Sequence, residues 1–192
     1  VSLITCPTFL ILNVVINLKM KNLLIIFILF PVIINAQEQN DSVKYEKDNY
    51  SIEYPSNWIL NDSGDNGTKI FLYPTNSESS DIFTENINLI IQNLSDASIT
   101  LEKYKGLVEK QISGMLTEPK ISSSEIENKN GLKCHQLIAE GKSGDYKFKT
   151  IIYTYLIDKQ IYTLTFVTLY DSYEKNNIES LKIMDSFNLT KN

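Results

Sequence analysis

Short runs of alternating apolar and polar residues, each ended by a turn, fill the first part of the chain after residue 48. Such alternation is typical of strands that bury one face. Pro55 ends the first run, since proline cannot donate a hydrogen bond to a sheet, and Asn61 to Gly67 form a turn-rich connection. We therefore predict four strands, over residues 50–54, 58–60, 69–73 and 87–91.

The apolar spacing changes to that of a helix after residue 100. Thr100 is a suitable N-cap, because its hydroxyl can accept a hydrogen bond from the first turn. Glu102 favours the positive end of the helix dipole, and Pro119 follows the predicted helix end. One amphipathic stripe is expected, formed by Leu101, Tyr104, Val108, Ile112 and Met115.

The second half of the chain is typical of a strand meander closed by a helix. Asn130-Gly131 predicts a tight turn between strands 121–127 and 132–140, because this pair tolerates positive φ. Strands 146–157 and 161–169 follow, and both carry apolar residues on both faces, which indicates cover on both faces. Asp171 or Ser172 is expected to cap a last helix. Its buried side would comprise Ile178, Leu181, Met184 and Phe187.

These elements predict an α+β fold. We expect one antiparallel sheet of about seven or eight strands, covered by helices on both faces as an α/β/α sandwich. No internal repeat and no second domain is indicated.

Residues 1–36 are predicted to lie outside this fold, as an overextended start followed by a secretory signal peptide. Lys21 supplies the positive end, Leu23 to Ile34 the apolar run, and Ala36 a small residue for cleavage. The apolar run is shorter than the roughly 20 residues of a membrane-spanning helix. We predict Met20 as the true initiator and cleavage before Gln37; the alternative is a two-segment membrane anchor.

After cleavage, residues 37–47 are predicted to form a polar tether and residues 48–190 a single domain. The protein would then be exported, periplasmic or secreted, with no membrane span left.

The charge of the chain argues against one class of partner, and its cysteine content argues against stabilisation by a disulfide. The chain has 23 acidic residues against 18 lysines, has no arginine, and carries a net charge of −5, which becomes more negative once the leader is lost. Nucleic acid is therefore not an expected partner, because the chain has no arginine and no basic cluster that would neutralise phosphates. Cys134 is the only cysteine after residue 36, so no intramolecular disulfide is expected.

Four stretches of sequence match, in order, the motifs of one known family. They are the strand Tyr50–Tyr54 continued to Trp58, the segment Asp81–Leu89, the helix start Thr100–Tyr104, and the pair Ser186-Phe187. Through them the chain resembles the PsbP-like family over nearly all of its mature part. That family is named after an extrinsic subunit of photosystem II, and its fold is shared by a Ran-binding nuclear import factor. The resemblance implies the sandwich fold and a binding or accessory role without a cofactor, and it leaves the partner open.

Candidate catalytic and metal-binding residues are few. Cys134 and His135 are adjacent, but neighbours on a strand point to opposite faces, so we predict structural roles for both. The single His excludes a multi-histidine zinc site. The stretch from Asn61 to Gly67 is not a calcium loop, because Leu72 stands where a bidentate Glu is needed. No catalytic, cofactor-binding or metal-binding residue is predicted.

The connection from Pro74 to Asn86 is the tentative partner contact, through Ser77, Glu78 and Asp81. Long connections without secondary structure are often functional. The alternative is a solvated spacer anchored by Phe83. Five tyrosines on or near the last strands serve either core packing or recognition, and the sequence leaves this open: Tyr146, Tyr153, Tyr155, Tyr162 and Tyr170.

The function expected from these observations is that of an exported, non-catalytic accessory or binding module, for an unknown protein or small ligand. A holdase-like chaperone for an apolar segment is the alternative, and a carboxylate-based hydrolase is the third possibility.

Overall fold

Ten strands and two α-helices form the part of the chain that the computed structural model describes, residues 41–75, 83–94 and 100–190. The helices are α1, Leu101–Met115, and α2, Tyr173–Asp185. Short 3-10 helices cover Asp65–Gly67 and Tyr170–Ser172. The strands are β1 Ser42–Lys47, β2 Tyr50–Pro55, β3 Trp58–Asn61, β4 Ile70–Pro74, β5 Asn86–Asn93, β6 Thr117–Glu127, β7 Lys133–Ser143, β8 Tyr146–Ile157, β9 Gln160–Leu169 and β10 Asn188–Leu189.

Seven of these strands form one antiparallel sheet, in the order β3-β4-β5-β9-β8-β7-β6. This confirms the predicted α+β fold and its antiparallel sheet of about seven strands. A second sheet, of order β1-β2-β10, was not predicted. No helix within the described ranges combines the length and the apolar character needed to cross a bilayer.

The predicted polar tether over 37–47 is wrong for its second part. Ser42–Lys47 form β1, which pairs antiparallel with β2 so that Tyr45 lies opposite Ile52. Most side chains of β1 are exposed, because β1 is an edge strand held by backbone hydrogen bonds to β2. An exposed strand of this kind lacks the apolar alternation by which strands are recognised. Residues 37–40 lie outside the described ranges.

The main core lies on one face of the seven-stranded sheet and is centred on Phe187. Its ring lies 4.9 Å from that of Tyr155, 5.7 Å from Tyr162 and 6.3 Å from Tyr50, centroid to centroid. All four rings are buried. Strand β2 adds Ile52 to this cluster. The cluster is the larger of two hydrophobic cores in the described part of the chain.

Helix α2 packs on this core with most of its predicted stripe, since Met184 and Phe187 are buried and Leu181 is partly buried against the core. Ser180, Ile183 and Met184 are buried, whereas Ile178 is 66% exposed. Residues three and four apart share a helix face, so the buried face runs through 180, 181, 183 and 184, and only Ile178 of the predicted residues lies on the solvent side. Ser172 occupies the N-cap position but makes no side-chain capping hydrogen bond.

Helix α1 packs on the opposite face of the sheet. Its Val108 and Ile112, with Leu116 just beyond, contact a small second core of Leu137, Ala139 and Ile152. The predicted N-cap is confirmed, since Thr100 Oγ1 accepts from the backbone N–H of Lys103 at 3.3 Å. No residue of α1 is fully buried, because the helix rests on the sheet along one shallow stripe. Full cover of both faces by helices stays a prediction.

Gly141 of β7 determines how closely the end of α1 approaches the sheet. A Cβ at this position would lie 2.9 Å from Leu116 Cβ and 3.2 Å from the Thr117 carbonyl oxygen. Only glycine permits this approach without a shift of the backbone. The C-terminal end of α1 is therefore held close to β7, on the β6 side of the sheet.

Candidate binding cleft

A cleft of about 510 Å³ lies between α1 and the sheet face beside it. Its size is in the range of small-molecule sites. Strands β5, β9 and β8 form the floor and α1 forms one wall. The floor is lined by Ile90, Gln92, Phe148, Thr150, Ile152, Thr163, Thr165 and Val167, and the wall by Tyr104, Val108, Gln111, Ile112, Met115 and Leu116; Ser143 completes the lining.

Hydrogen bonds hold α1 to the sheet at one end of the cleft, and an aromatic contact lies at the other. The Tyr104 hydroxyl donates to Gln92 Oε1 at 3.0 Å and lies 3.2 Å from Thr163 Oγ1, so α1 is tied to β5 and β9. At the other end, the Phe148 ring meets Phe83 edge to face at 5.1 Å. The cleft therefore has two fixed ends.

The described lining of the cleft contains no Asp, Glu, Lys or His. This is notable in a chain with 23 acidic residues and 18 lysines. Threonine hydroxyls and glutamine amides provide its polar groups, and aliphatic side chains provide most of the rest. Such a lining can bind by hydrogen bonds and apolar contact, and it selects against charged ligands, which would lose hydration without gaining a counter-charge.

A second hollow, the aromatic depression, lies on the same face of the sheet near its β3 edge. It measures about 270 Å³ and is lined by Ile59, Phe71, Tyr73, Pro74, Thr75 and Thr84. The Phe71 and Tyr73 rings are 5.9 Å apart and inclined at 49°. Both are partly exposed. Its described lining is also uncharged.

Sheet register connects the cleft to the aromatic depression. Thr165 of β9 lies opposite Asn88 of β5, and Asn88 lies opposite Phe71 of β4. Ile152 of β8 extends this row on one side and Asn61 of β3 on the other. Opposed residues in a sheet share a face, so one continuous row runs from the cleft to the aromatic depression.

Cys134 and His135 lie on opposite faces of β7, as predicted. Cys134 is buried in the main core beside Tyr155, and burial raises the pKa of its thiol to about 11. His135 is buried on the α1 side, where burial and the Lys105 ammonium lower the pKa of its imidazole. Its Nε2 has no hydrogen-bond partner. That neither residue performs chemistry stays a prediction.

The Cys134 thiol should be almost inert in the folded protein. A pKa near 11 leaves roughly a hundredfold less thiolate at pH 8 than a pKa near 9, and burial hinders access further. With Cys6→Ser removing the other thiol, a colorimetric disulfide reagent should label Cys134 rapidly in denaturant and at least about a hundredfold more slowly without it. Labelling of the native protein at the denatured rate would contradict this burial.

The structure divides the five tyrosines between core and surface. Tyr153, Tyr155 and Tyr162 are buried, which confirms core packing for these three. Tyr146 and Tyr170 are exposed, and the Lys147 ammonium lies 3.1 Å above the Tyr170 ring.

The tentative contact residues Ser77, Glu78 and Asp81 lie outside the described residues. Phe83, the predicted anchor of that connection, is partly buried against Phe148. Sequence reasoning missed the cleft, and its only signal was the series of polar residues Thr150, Thr163 and Thr165 within otherwise apolar strands.

Comparison with known proteins shows what the chain is similar to. Among solved structures, the cyanobacterial PsbP protein CyanoP of Synechocystis sp. PCC 6803 superposes with a TM-score of 0.55 at 16% identity, covering 78% of this chain and 93% of CyanoP. LpqN, involved in cell envelope biogenesis of Mycobacterium tuberculosis, superposes with a TM-score of 0.61 at 14% identity, covering 78% of this chain and 90% of LpqN.

A variant of the protein Mog1 gives a TM-score of 0.52 at 11% identity, over 79% of this chain and 97% of Mog1. At these identities the similarity shows the fold alone. No curated protein matches the sequence. The model of the PsbP family, in contrast, matches residues 40–189, which include every strand and helix described above. The chain therefore belongs to the PsbP family.

Proposed function

We propose that this protein is an exported, non-catalytic binding module that holds an uncharged ligand in the cleft beside α1. The observation that carries the proposal is the lining of the cleft, which offers about 510 Å³ bounded by hydroxyl, amide and apolar groups without a charged side chain among the described residues. Hydroxyl and amide groups orient a ligand, whereas general acid–base catalysis needs a group that titrates near the working pH.

Export is part of the proposal and rests on the leader. Residues 20–36 have the order of a secretory signal, with Lys21 ahead of the apolar run and Ala36 at its end. Mature protein would begin at Gln37 and carry a single domain that starts with β1. Work on the cell envelope, as named for LpqN, is consistent with this location. Cover of the sheet by α1 and α2 on its two faces, the α/β/α sandwich, belongs to the same proposal.

A holdase-like chaperone is the second candidate, favoured by the apolar surface of α1. Leu107 and Met115 are 60% and 63% exposed, and Met115 lies at the cleft. Exposed methionine and leucine side chains adapt to varied apolar segments. The threonines of the floor argue against a purely apolar occupant, because their hydroxyls would lose water without replacement.

Filling the cleft should abolish binding. Thr165 lies in the floor and is only partly buried, so Thr165→Trp should occupy the space with an indole. A thermal-shift screen of uncharged sugars, short neutral peptides and acyl detergents should find at least one class that raises the Tm of the wild type and not that of the variant. Ser122→Trp, at an exposed position of the edge strand β6, is the matched control and should behave as wild type.

An equal response of Thr165→Trp and wild type to every stabilising compound would exclude the cleft as the site. Absence of any stabilising uncharged compound would exclude the proposed function.

A further inference from the structure

We propose that the ligand of this face is a neutral oligosaccharide, which lies across the strands from the cleft to the aromatic depression. This inference rests on the proposed function and names its ligand class. It draws on three observations: the balance of donors and acceptors, the exposed rings, and the row formed by the sheet register.

The polar groups of the face match those of a sugar. Thr163 and Thr165 each present a hydroxyl that can donate and accept, and Asn88 an amide that does both. Sugar hydroxyls likewise donate and accept, so every group on both sides can be paired. Thr163 Oγ1 already lies 3.2 Å from the Tyr104 hydroxyl. An acyl chain that covered Thr165 and Asn88 would leave their hydroxyl and amide groups without water or a partner, at a cost of about 1–3 kcal/mol apiece.

The aromatic depression supplies the apolar half of sugar recognition. Sugar rings carry one or more faces of C–H groups, which pack on aromatic rings. Phe71 and Tyr73 are partly exposed on the sheet face, and their mutual inclination of 49° presents two differently oriented surfaces. Tyr73 also offers a polar hydroxyl at the edge of its ring.

The length of the row selects an oligosaccharide over a single sugar. Ile152, Thr165, Asn88, Phe71 and Asn61 occupy five adjacent strands. Neighbouring strands are about 4.8 Å apart, so the row spans roughly 19 Å. The strand spacing is close to the length of one hexose unit. Consecutive sugar units can therefore meet successive strands.

A peptide fits most of this face less well, because the backbone groups of the central strands are already used. Strands β4, β5, β9 and β8 each pair on both sides, so among the strands of the row only β3, at the described edge of the sheet, has an unpaired side. Extended peptides obtain much of their affinity by pairing with a free edge. On the four strands from β4 to β8 in the row only side chains are available, and a glycan chain can bind through side chains alone.

The inference can be tested with neutral β-linked gluco- and chito-oligosaccharides of one to six units, titrated into the full chain by calorimetry. Affinity should rise with length up to about four units, because the row contains four strand spacings of about 4.8 Å each. Phe71→Ala should weaken binding of the longer oligosaccharides about tenfold, equivalent to about 1.4 kcal/mol. Phe71→Tyr should restore it, since a ring is again present.

Two controls make the result specific. Tyr146→Ala removes an exposed ring that lies outside both hollows, and it should leave Kd unchanged. Because the described lining is uncharged, Kd should also be unchanged when NaCl is raised to about 0.5 M, where exposed charge pairs are screened.

The outcomes separate the two proposals. Binding of a neutral peptide or a detergent that Thr165→Trp abolishes, with no binding of any oligosaccharide, would overturn the glycan inference and keep the cleft as a site. Oligosaccharide binding that Phe71→Ala leaves intact would overturn the proposed path across the strands. No Thr165-dependent binding of any class would overturn both.

Discussion

Replacing Phe187 with alanine should lower the free energy of unfolding by about 4 kcal/mol. The Phe187 ring is fully buried and packs against Tyr155, Tyr162 and Tyr50, which come from three different strands. Alanine would leave a cavity that these rings cannot fill without breaking sheet register. Urea unfolding followed by far-UV circular dichroism would give the loss as a shift of the midpoint.

Phe71→Ala is the matched control, because it removes the same ring from the partly exposed face of the sheet. Phe71→Ala should lower the free energy of unfolding by less than about 2 kcal/mol, because the Phe71 ring is only partly buried. Equal losses in the two variants would contradict the placement of the core around Phe187. The same control shows whether the Phe71→Ala protein is folded well enough for the binding experiment.

Asn128→Ala should lower the free energy of unfolding by about 3 kcal/mol, although Asn128 is polar and lies in a turn. Asn128 is buried, and its Oδ1 accepts from the backbone N–H groups of Asn130 and Leu132, each at 3.0 Å. Its Nδ2 donates to the Phe187 carbonyl at 2.7 Å and to the Tyr155 hydroxyl at 3.3 Å. Alanine would thus leave several polar groups in the interior without a partner.

Thermal unfolding would measure this loss, and hydrogen exchange of the Leu132 amide would show whether the turn opens locally. Lys129→Ala is the control in the same turn. Its ammonium pairs with Glu53 at 2.7 Å, but both side chains are nearly half exposed, so the loss should be below about 1 kcal/mol. If Asn128→Ala unfolded at the wild-type temperature, the hydrogen bonds of Asn128 would contribute nothing measurable to stability.

Strands that bury at least one face, and helix α1, could be predicted from the sequence alone. The alternation at Tyr50–Tyr54 and the apolar runs of β8 and β9 correspond to observed strands. Thr100 caps α1 where the spacing changes. These signals are local, because each depends on residues within one element.

The elements that were missed depend on distant partners. Strand β1 is mostly exposed, and β10 has two residues, so both exist through pairing with β2. In α2 only Ile178 was misplaced, because Ile178 and Ile183 are equally apolar and only the position of the core distinguishes them.

The candidate site could not be predicted for the same reason. Thr165, Asn88 and Phe71 lie in three strands that are far apart in the sequence, and each is an ordinary strand residue by itself. Only the register of β9 with β5 and of β5 with β4 places them in one row. The sequence contains the residues of this row, but only the pairing of the strands shows that they are neighbours.

The pairing of β2 with β10 determines when the protein can finish folding. Ser186 Oγ accepts from the Glu53 N–H at 2.8 Å, and Leu189 of β10 lies opposite Tyr50. Strand β2 therefore cannot complete its pairing before residue 189 has been synthesised, and contacts of such long sequence separation form slowly. The core around Phe187 therefore stays open while residues 41–186 emerge from the ribosome. An open chain of this kind is what a secretion channel would need for the export proposed above.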